Sequence, residues 1–579
     1  MPPGVADKMP PGVADVDLRH PFLTEQLIAY IGNKRALLPF LADVFSRLVP
    51  RESRARNAAG SGRTFLDPFA GSGAVSRLAR LMGFIVGAND WEFYSFVINS
   101  CHLGLARKDL GDLFTGRGGL EAVLAELNGL PPPSEEAAYI SRHYAPRSTE
   151  NADWRTERLF YTRENALVID AVRQRIEEMY PGIPEGEKAF REKAALLAPL
   201  LYEAATHTNT SGVFKACHRG FGGHGRDALG RITSGIKVRP PVLIDSPAPS
   251  IVACMDARLY LASRSADICY LDPPYAVHQY GSNYFMLNTI ARWDRPSVSG
   301  ERGPDGRLLK KAGIRDDWTR TRSAFCYPDT ALPALKEVVA AADCRWLVVS
   351  YSNEGLIGLE ELCDLLAGMG SLSLSSTGYV KYPGGKQSLS RTTRNLEIVL
   401  VVDHRSRPAA GNVVDGLLRP VRIARLLGMA FDPRRVRAAF PVEDGGIVVG
   451  RCGGERVCLP MRHYWRFPAD APPPRFDTDA DAESFIAALS NCALRDVKEE
   501  IDVLLGIVGQ LQDIREKGKL LKEILRLLNK LAHRKYSSVF ADMLATLRKL
   551  SEGDPGLDIF RAGLDRIAET AARRSRPPR

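Results

Sequence analysis

The chain has 579 residues, 45% hydrophobic and 25% charged, with a formal net charge of +10 at pH 7. One hydrophobic core rarely grows beyond roughly 250–300 residues, so a chain of this length is expected to form several domains. No run approaches the ~18 uninterrupted apolar residues of a membrane span, so no membrane segment is expected, while the basic excess suits a polyanionic partner without specifying one.

The amino-terminal stretch MPPGVADKMPPGVADVDLRH repeats MPPGVAD in tandem and lacks the three regions of a signal peptide. Residues 1–21 are therefore expected to be a disordered tail, with Met9 as a second candidate start. Ten cysteines are scattered along the chain. Cys452 and Cys458, with His463 nearby, fit no common zinc spacing, so reduced thiols and no metal are expected.

Residues 22–50 follow a helical pattern around YIGNKRALLPFL. A linker, AAGSGR, leads to the strand-like Thr64-Phe65-Leu66. Asp67-Pro68-Phe69-Ala70-Gly71-Ser72-Gly73 comes next, then a helical run, AVSRLARLMG, and a second strand, FIVGA, ending at Asn89-Asp90. This strand–loop–helix–strand order opens a doubly wound sheet. Small residues at 70–73 let a ligand approach the backbone, and the helix start offers free N–H groups. The loop has no lysine for a phosphate loop and lacks the full G-x-G-x-x-G fingerprint. Asp90 stands where a carboxylate accepts hydrogen bonds from ribose hydroxyls, so an adenosine-bearing ligand is expected.

From 101 to 250, helical segments alternate with basic, aromatic and glycine-rich stretches. Sheet signals return at SIVACMDA, DICYLDPPY, CRWLVVSYSN and NLEIVLVV, so one α/β sheet (22–100 and 251–403) is expected to be interrupted by an insertion. Asp256 fits a contact to the adenine side of a cofactor or a cap on the helix starting at Ala257. In DICYLDPPY the apolar run stops at Asp272-Pro273-Pro274-Tyr275. Neither proline can donate an N–H, so the ladder ends there, at the strand edge where open α/β sheets bind ligands. Residues 404–579 form an accessory domain of short strands followed by amphipathic helices, about 482–552, whose apolar faces suit a bundle core or a protein partner.

DPFAGSG followed by DPPY resembles, in that order, the S-adenosylmethionine-dependent DNA adenine-N6 methyltransferases of the D12 class, typified by Dam. The resemblance covers about 22–403. It implies a Rossmann-like methyltransferase sheet, a large inserted DNA-recognition module over 101–250, a carboxy-terminal mainly helical domain, S-adenosyl-L-methionine as cofactor, double-stranded DNA as partner, and a cytoplasmic, nucleoid-associated protein. YIGNKRALL resembles the family's amino-terminal cofactor motif, so Tyr30 and Lys34 would contact the cofactor, Asp90 the ribose, and Asp272 would lie beside the methyl donor. THTNTSGVFKACHRGFGGHGRDALGRI resembles the region of a DNA-contacting hairpin through Asn209, Gly212 and Phe214. His207 and Thr208 stand where better-known members have an arginine and a tyrosine.

The chemistry agrees with that resemblance. The exocyclic amine of adenine is a poor nucleophile because its lone pair is delocalised into the ring. The Asp272 carboxylate and the Pro273 carbonyl can each accept one of its N–H groups and stabilise the charge that develops on attack. Tyr275 can stack on a base drawn out of the duplex. DNA contacts are expected from His207, Thr208, Asn209, Lys215, His218, Arg219, Arg226, Lys310, Lys311, Arg315, Arg320 and Arg322. Lys381 and Lys386, in KYPGGKQSLSRTTRN, extend the set. An RNA methyltransferase remains an alternative, as does a bifunctional or partner-dependent subunit whose last third adds nuclease or docking function.

Overall fold

The computed structural model describes residues 16–575 except 51–61, 183–187, 224–226, 247–249, 380–394, 409–412, 444, 469–470, 534–535 and 553–554. Most of the expected tail, the AAGSGR linker up to Ser61, Arg226, Lys381 and Lys386 therefore lie outside the described residues. Two compact units are formed, one by residues 1–375 with 398–409, the other by residues 376–397 with 410–579.

A seven-stranded sheet is built from β1 (Thr64–Asp67), β2 (Ile85–Asn89), β3 (Ser250–Ala253), β4 (Ser265–Leu271), β5 (Asp343–Ser352), β6 (Ser371–Tyr379) and β7 (Asn395–Asp403). Their spatial order is β3-β2-β1-β4-β5-β7-β6. Strands β1 to β5 pair in parallel, with Phe65 opposite Ile268 and Leu66 opposite Cys269. This is the Rossmann-like arrangement expected from the sequence. Because β1 has β2 on one side and β4 on the other, the carboxyl ends of β1 and β4 flank the point where the strand order reverses. Open α/β sheets bind their ligands in that crevice.

The sheet is sealed by aromatic packing. Phe65 meets Phe45 edge-on at 5.1 Å and stacks on Tyr270 at 6.2 Å. Phe45 comes from the Leu38–Leu48 helix, which also buries Leu38, Leu41, Ala42 and Val44. Val16 and Leu18, in the segment expected as tail, pack against this core.

The insertion contributes two long helices, Arg163–Met179 and Lys188–Thr206. Ile169, Val172, Leu197 and Leu201 share one core with Tyr94, Val97, Phe285 and Ile290. Arg173 is fully buried and donates to the carbonyls of Ile290 and Ala291 (2.7 and 3.2 Å), while pairing with Glu177 at 2.8 Å. The insertion is thus fastened to the helix that follows the DPPY turn, Phe285–Arg292.

In the second unit a three-stranded antiparallel sheet covers residues 442–460, and the helices include Asp479–Cys492, Val497–Gln510, Ile514–Leu531 and Ser537–Ser551. The last three of these helices share a core through Ile501, Leu504, Ile524, Leu528 and Phe540, while Phe485 and Leu489 of the first pack with Ile447 and Leu459 of the small sheet. Among the described residues, no helix is long and apolar enough to cross a membrane.

Candidate active site

Strand β1 runs into a tight turn. The amide of Ala70 donates to the Asn89 carbonyl (2.9 Å), and that of Gly73 to the Ala70 carbonyl (2.7 Å). Gly71 and Gly73 adopt left-handed conformations, φ +52° and +79°, that a residue with a side chain could not take cheaply. Asp90 braces the turn, with one carboxylate oxygen accepting from the Gly71 amide and the other from the Glu92 amide, both at 2.8 Å. Each oxygen keeps further acceptor capacity. Asp67 is buried and accepts from the Ser76 hydroxyl at 2.6 Å. Burial pushes its carboxyl up to about 7, the Ser76 bond opposes the rise, and the nearby Asp272 charge adds to it.

The second wall is the turn after β4. Lys34, itself buried, forms an ion pair with Asp272 at 3.0 Å, and its ammonium sits 5.0 Å from the Tyr275 ring centre. The Tyr275 carbonyl accepts from the Leu356 amide (3.1 Å), and its ring meets Tyr351 edge-on at 5.8 Å. Residues 30–34 are tied to the segment after the DPPY turn. The Ile31 amide donates to the Tyr284 hydroxyl (2.7 Å), the Tyr280 hydroxyl donates to the Ile31 carbonyl (3.0 Å), and Tyr30 stacks on Tyr284 at 4.9 Å.

These walls enclose a cavity of about 250 Å³ lined by Tyr30, Lys34, Asp67, Pro68, Phe69, Ala70, Gly71, Ser72, Asp90, Asp256, Asp272, Pro273, Pro274 and Tyr275. Gly73 is not among the lining residues. It packs so closely on Asn99 that an added Cβ would lie 2.3 Å from the amide oxygen. Asp256 both lines the cavity and caps the following helix, accepting from the amides of Arg258 (3.0 Å) and Leu259 (3.2 Å).

The sequence reading missed Glu92, Tyr280 and Thr321, all of which line the cavity. Two tyrosines at 280 and 284, one helical turn apart, were the available signal for the strap contact. Glu92 accepts from the Asn288 side chain (2.5 Å). Burial raises its carboxyl to about 7; the Asn288 bond opposes this and Asp90 adds to it. A carboxyl raised on folding keeps its proton longer in the folded state, so stability falls as pH climbs from about 4.5 to about 7. Glu92→Gln is expected to melt above wild type at pH 8 and together with it near pH 5. Equal melting temperatures at both pH values would count against a strained carboxylate.

The residues expected at DNA divide into two sets. His207, Thr208, Asn209 and Arg315 are buried and bonded within the protein. His207 pairs with Glu203 (3.2 Å), Thr208 donates to the Phe160 carbonyl (3.2 Å), and Asn209 donates to the carbonyls of Leu159 (3.0 Å) and Gly220 (3.3 Å). Arg315 is held between Asp294 and Asp317 at 2.5 and 2.6 Å. By contrast Lys215, Arg219, Lys310, Lys311, Arg320 and Arg322 are exposed and His218 is half-buried. Arg322 also lines the cavity.

A glycine turn and a DPPY turn thus line one cavity at the switch point of a doubly wound sheet. The family model of the D12 class N6 adenine-specific DNA methyltransferases matches residues 30–311. The type II methyltransferase M.NlaIII of Neisseria lactamica is 31% identical over 364 residues, which is 62% of this chain and 93% of the relative. M.CviAII of Paramecium bursaria Chlorella virus 1 is 27% identical over 64% of this chain and 96% of its own length. The modification methylase LlaI of Lactococcus lactis subsp. lactis is 29% identical over 64% of this chain, which spans only 54% of that relative. No solved structure gave a significant match. The chain belongs to the D12 class N6 adenine-specific DNA methyltransferases. Nothing in these comparisons supports the protein partner expected at the carboxy-terminal helices.

Proposed function

We propose that the chain transfers a methyl group from S-adenosylmethionine to the N6 amine of an adenine flipped out of duplex DNA, at a specific site, within restriction–modification. The observation that carries this is the meeting of Asp272 and Pro273 with the Gly71 turn and Asp90 around one cavity. The donor fits there on the chemistry of the walls. Asp90 retains acceptor capacity for ribose hydroxyls, and Gly71, whose missing Cβ makes room for Tyr30, lines the same cavity. Tyr30, Lys34, the residues from Asp67 to Ser72, and Asp256 would complete its holding. When bound, the donor supplies an electrophilic methyl group on a sulfonium.

The protein's part is to make the amine attack. Asp272 accepts one N6–H bond and the Pro273 carbonyl the other, which localises the nitrogen lone pair and stabilises its developing positive charge. Pro274 fixes the turn that aims both acceptors, and Tyr275 provides a plate for the base. Extracting the base costs a few kcal/mol, which stacking and edge contacts offset. Before substrate arrives, Lys34 holds the Asp272 carboxylate in place.

Incubating the protein with labelled donor and unmethylated duplex DNA, with ribosomal RNA as a parallel arm, tests the reaction. Label in N6-methyladenine of the duplex is expected. Label found only in RNA, or in cytosine, would overturn the assignment.

A further inference from the structure

Three separated loops bring three cations onto one indole. The guanidinium carbons of Arg219 and Arg155 lie 4.6 and 5.2 Å from the Trp154 ring centre, and the Lys311 ammonium lies 4.6 Å from it. Such distances fall within cation–π range, so the ring orients side chains that would otherwise move freely. Arg155 pairs with Asp153 at 3.5 Å. Arg219 and Lys311 have no ion-pair partner among the described residues, so this exposed patch keeps unneutralised positive charge.

The loops are held by buried groups. Arg158, nearly fully buried, spends its guanidinium on the carbonyls of Lys310 (2.9 Å), Lys311 (3.0 Å), Ser299 (2.6 Å) and His143 (3.2 Å). Gly313 makes room for it, since a Cβ there would stand 2.8 Å from the Arg158 Nε. The Leu308 amide donates to the Arg155 carbonyl at 3.3 Å, joining that loop to the Trp154 segment. On the third loop, Asn209 accepts through its backbone from the His218 amide (3.0 Å) and donates through its side chain to the Gly220 carbonyl (3.3 Å), so both neighbours of Arg219 are fixed. Like charges crowded together on a fixed frame are relieved by a polyanion.

We propose that Trp154, Arg155, Arg219 and Lys311 form a preformed clamp for the phosphodiester backbone of the duplex, with Asn209 and Arg158 as positioning residues. This rests on the reading of the protein as a DNA methyltransferase and adds where the duplex is gripped. The indole is already covered by cations, so it orients charge and does not stack a base. Recognition at this clamp is therefore indifferent to sequence.

The test is the salt dependence of duplex binding by the full chain carrying Arg219→Gln and Lys311→Gln together. Each lost phosphate contact removes about 0.9 from the slope of log affinity against log salt, so the double variant is expected to be shallower by about 2. Affinity should fall by the same factor on every duplex sequence. Arg219→Lys with Lys311→Arg should keep the wild-type slope, which a merely structural role for these side chains would not predict. Unchanged donor binding and melting temperature establish that the variants fold. A double variant with the wild-type slope, or a loss confined to one DNA sequence, overturns the clamp and leaves the methylation reading intact. Adenine methylation by the wild-type chain, read separately, decides that reading whatever the slope.

Discussion

Asp272→Asn is expected to slow methyl transfer by about 10³-fold at saturating donor and DNA, the upper range for removing one preorganised polar group at a reacting centre. The substitution keeps the shape of the side chain. It removes the charge that Lys34 pairs with at 3.0 Å and replaces one acceptor oxygen by an amide donor. An amine that must give up its hydrogens then meets a group that also donates. Ground-state affinity for the duplex should change little, because phosphate contacts dominate it. Single-turnover rates measured beside DNA affinities separate the two effects. A variant within tenfold of the wild-type rate would remove Asp272 from the chemistry.

Gly71→Ala is expected to destabilise the fold by about 2–5 kcal/mol and, unlike a strained glycine elsewhere, to weaken donor binding as well. Its φ of +52° costs an L-residue about 1–2 kcal/mol. The new Cβ would also lie 2.8 Å from the Tyr30 ring, which packs against Tyr280 and Tyr284 at 5.1 and 4.9 Å. Overpacking of that kind costs a further 1–3 kcal/mol or so, and because Tyr30 lines the cavity its displacement also reaches the donor site. Gly83→Ala is the control. Its φ is +92° with open space around the missing Cβ, so it carries backbone strain without a clash. That variant should lose stability yet bind the donor as wild type does. Equal donor affinity for both variants would show that the close approach of Tyr30 to the glycine turn does not matter.

The sheet was readable because its central strands are short apolar runs with punctuation. TFLD stops at Pro68, and SADICYL is followed by Asp272 and Pro273, so the motif residues fall at strand ends on the sequence alone. Strand β6, SLSLSSTGY, escaped because its alternating serines give no apolar run. The glycine turn and the DPPY turn were legible for a local reason, since each is contiguous in sequence. Glu92 was not, because its partner Asn288 is 196 positions away. The residues expected at DNA show the same limit. A charge run such as RLLKKAGIRDDWTRTR reads as uniformly solvated, yet Arg315 is drawn inward by Asp294, 21 positions upstream. Resemblance located the loop holding His207, Thr208 and Asn209 but carried no information on which way those side chains point.

The pairing of β1 with β4 also constrains how the chain is made. Thr64 and Asp267 are hydrogen-bonded although 203 positions apart. At the ~5–20 residues per second of synthesis, β1 leaves the ribosome roughly 10–40 seconds before its neighbour exists. During that interval its open edge is available for mispairing, a hazard of late parallel contacts. The intervening helices emerge first and can collapse among themselves, so the glycine turn and the DPPY turn come together only when the final piece of the nascent sheet's centre arrives.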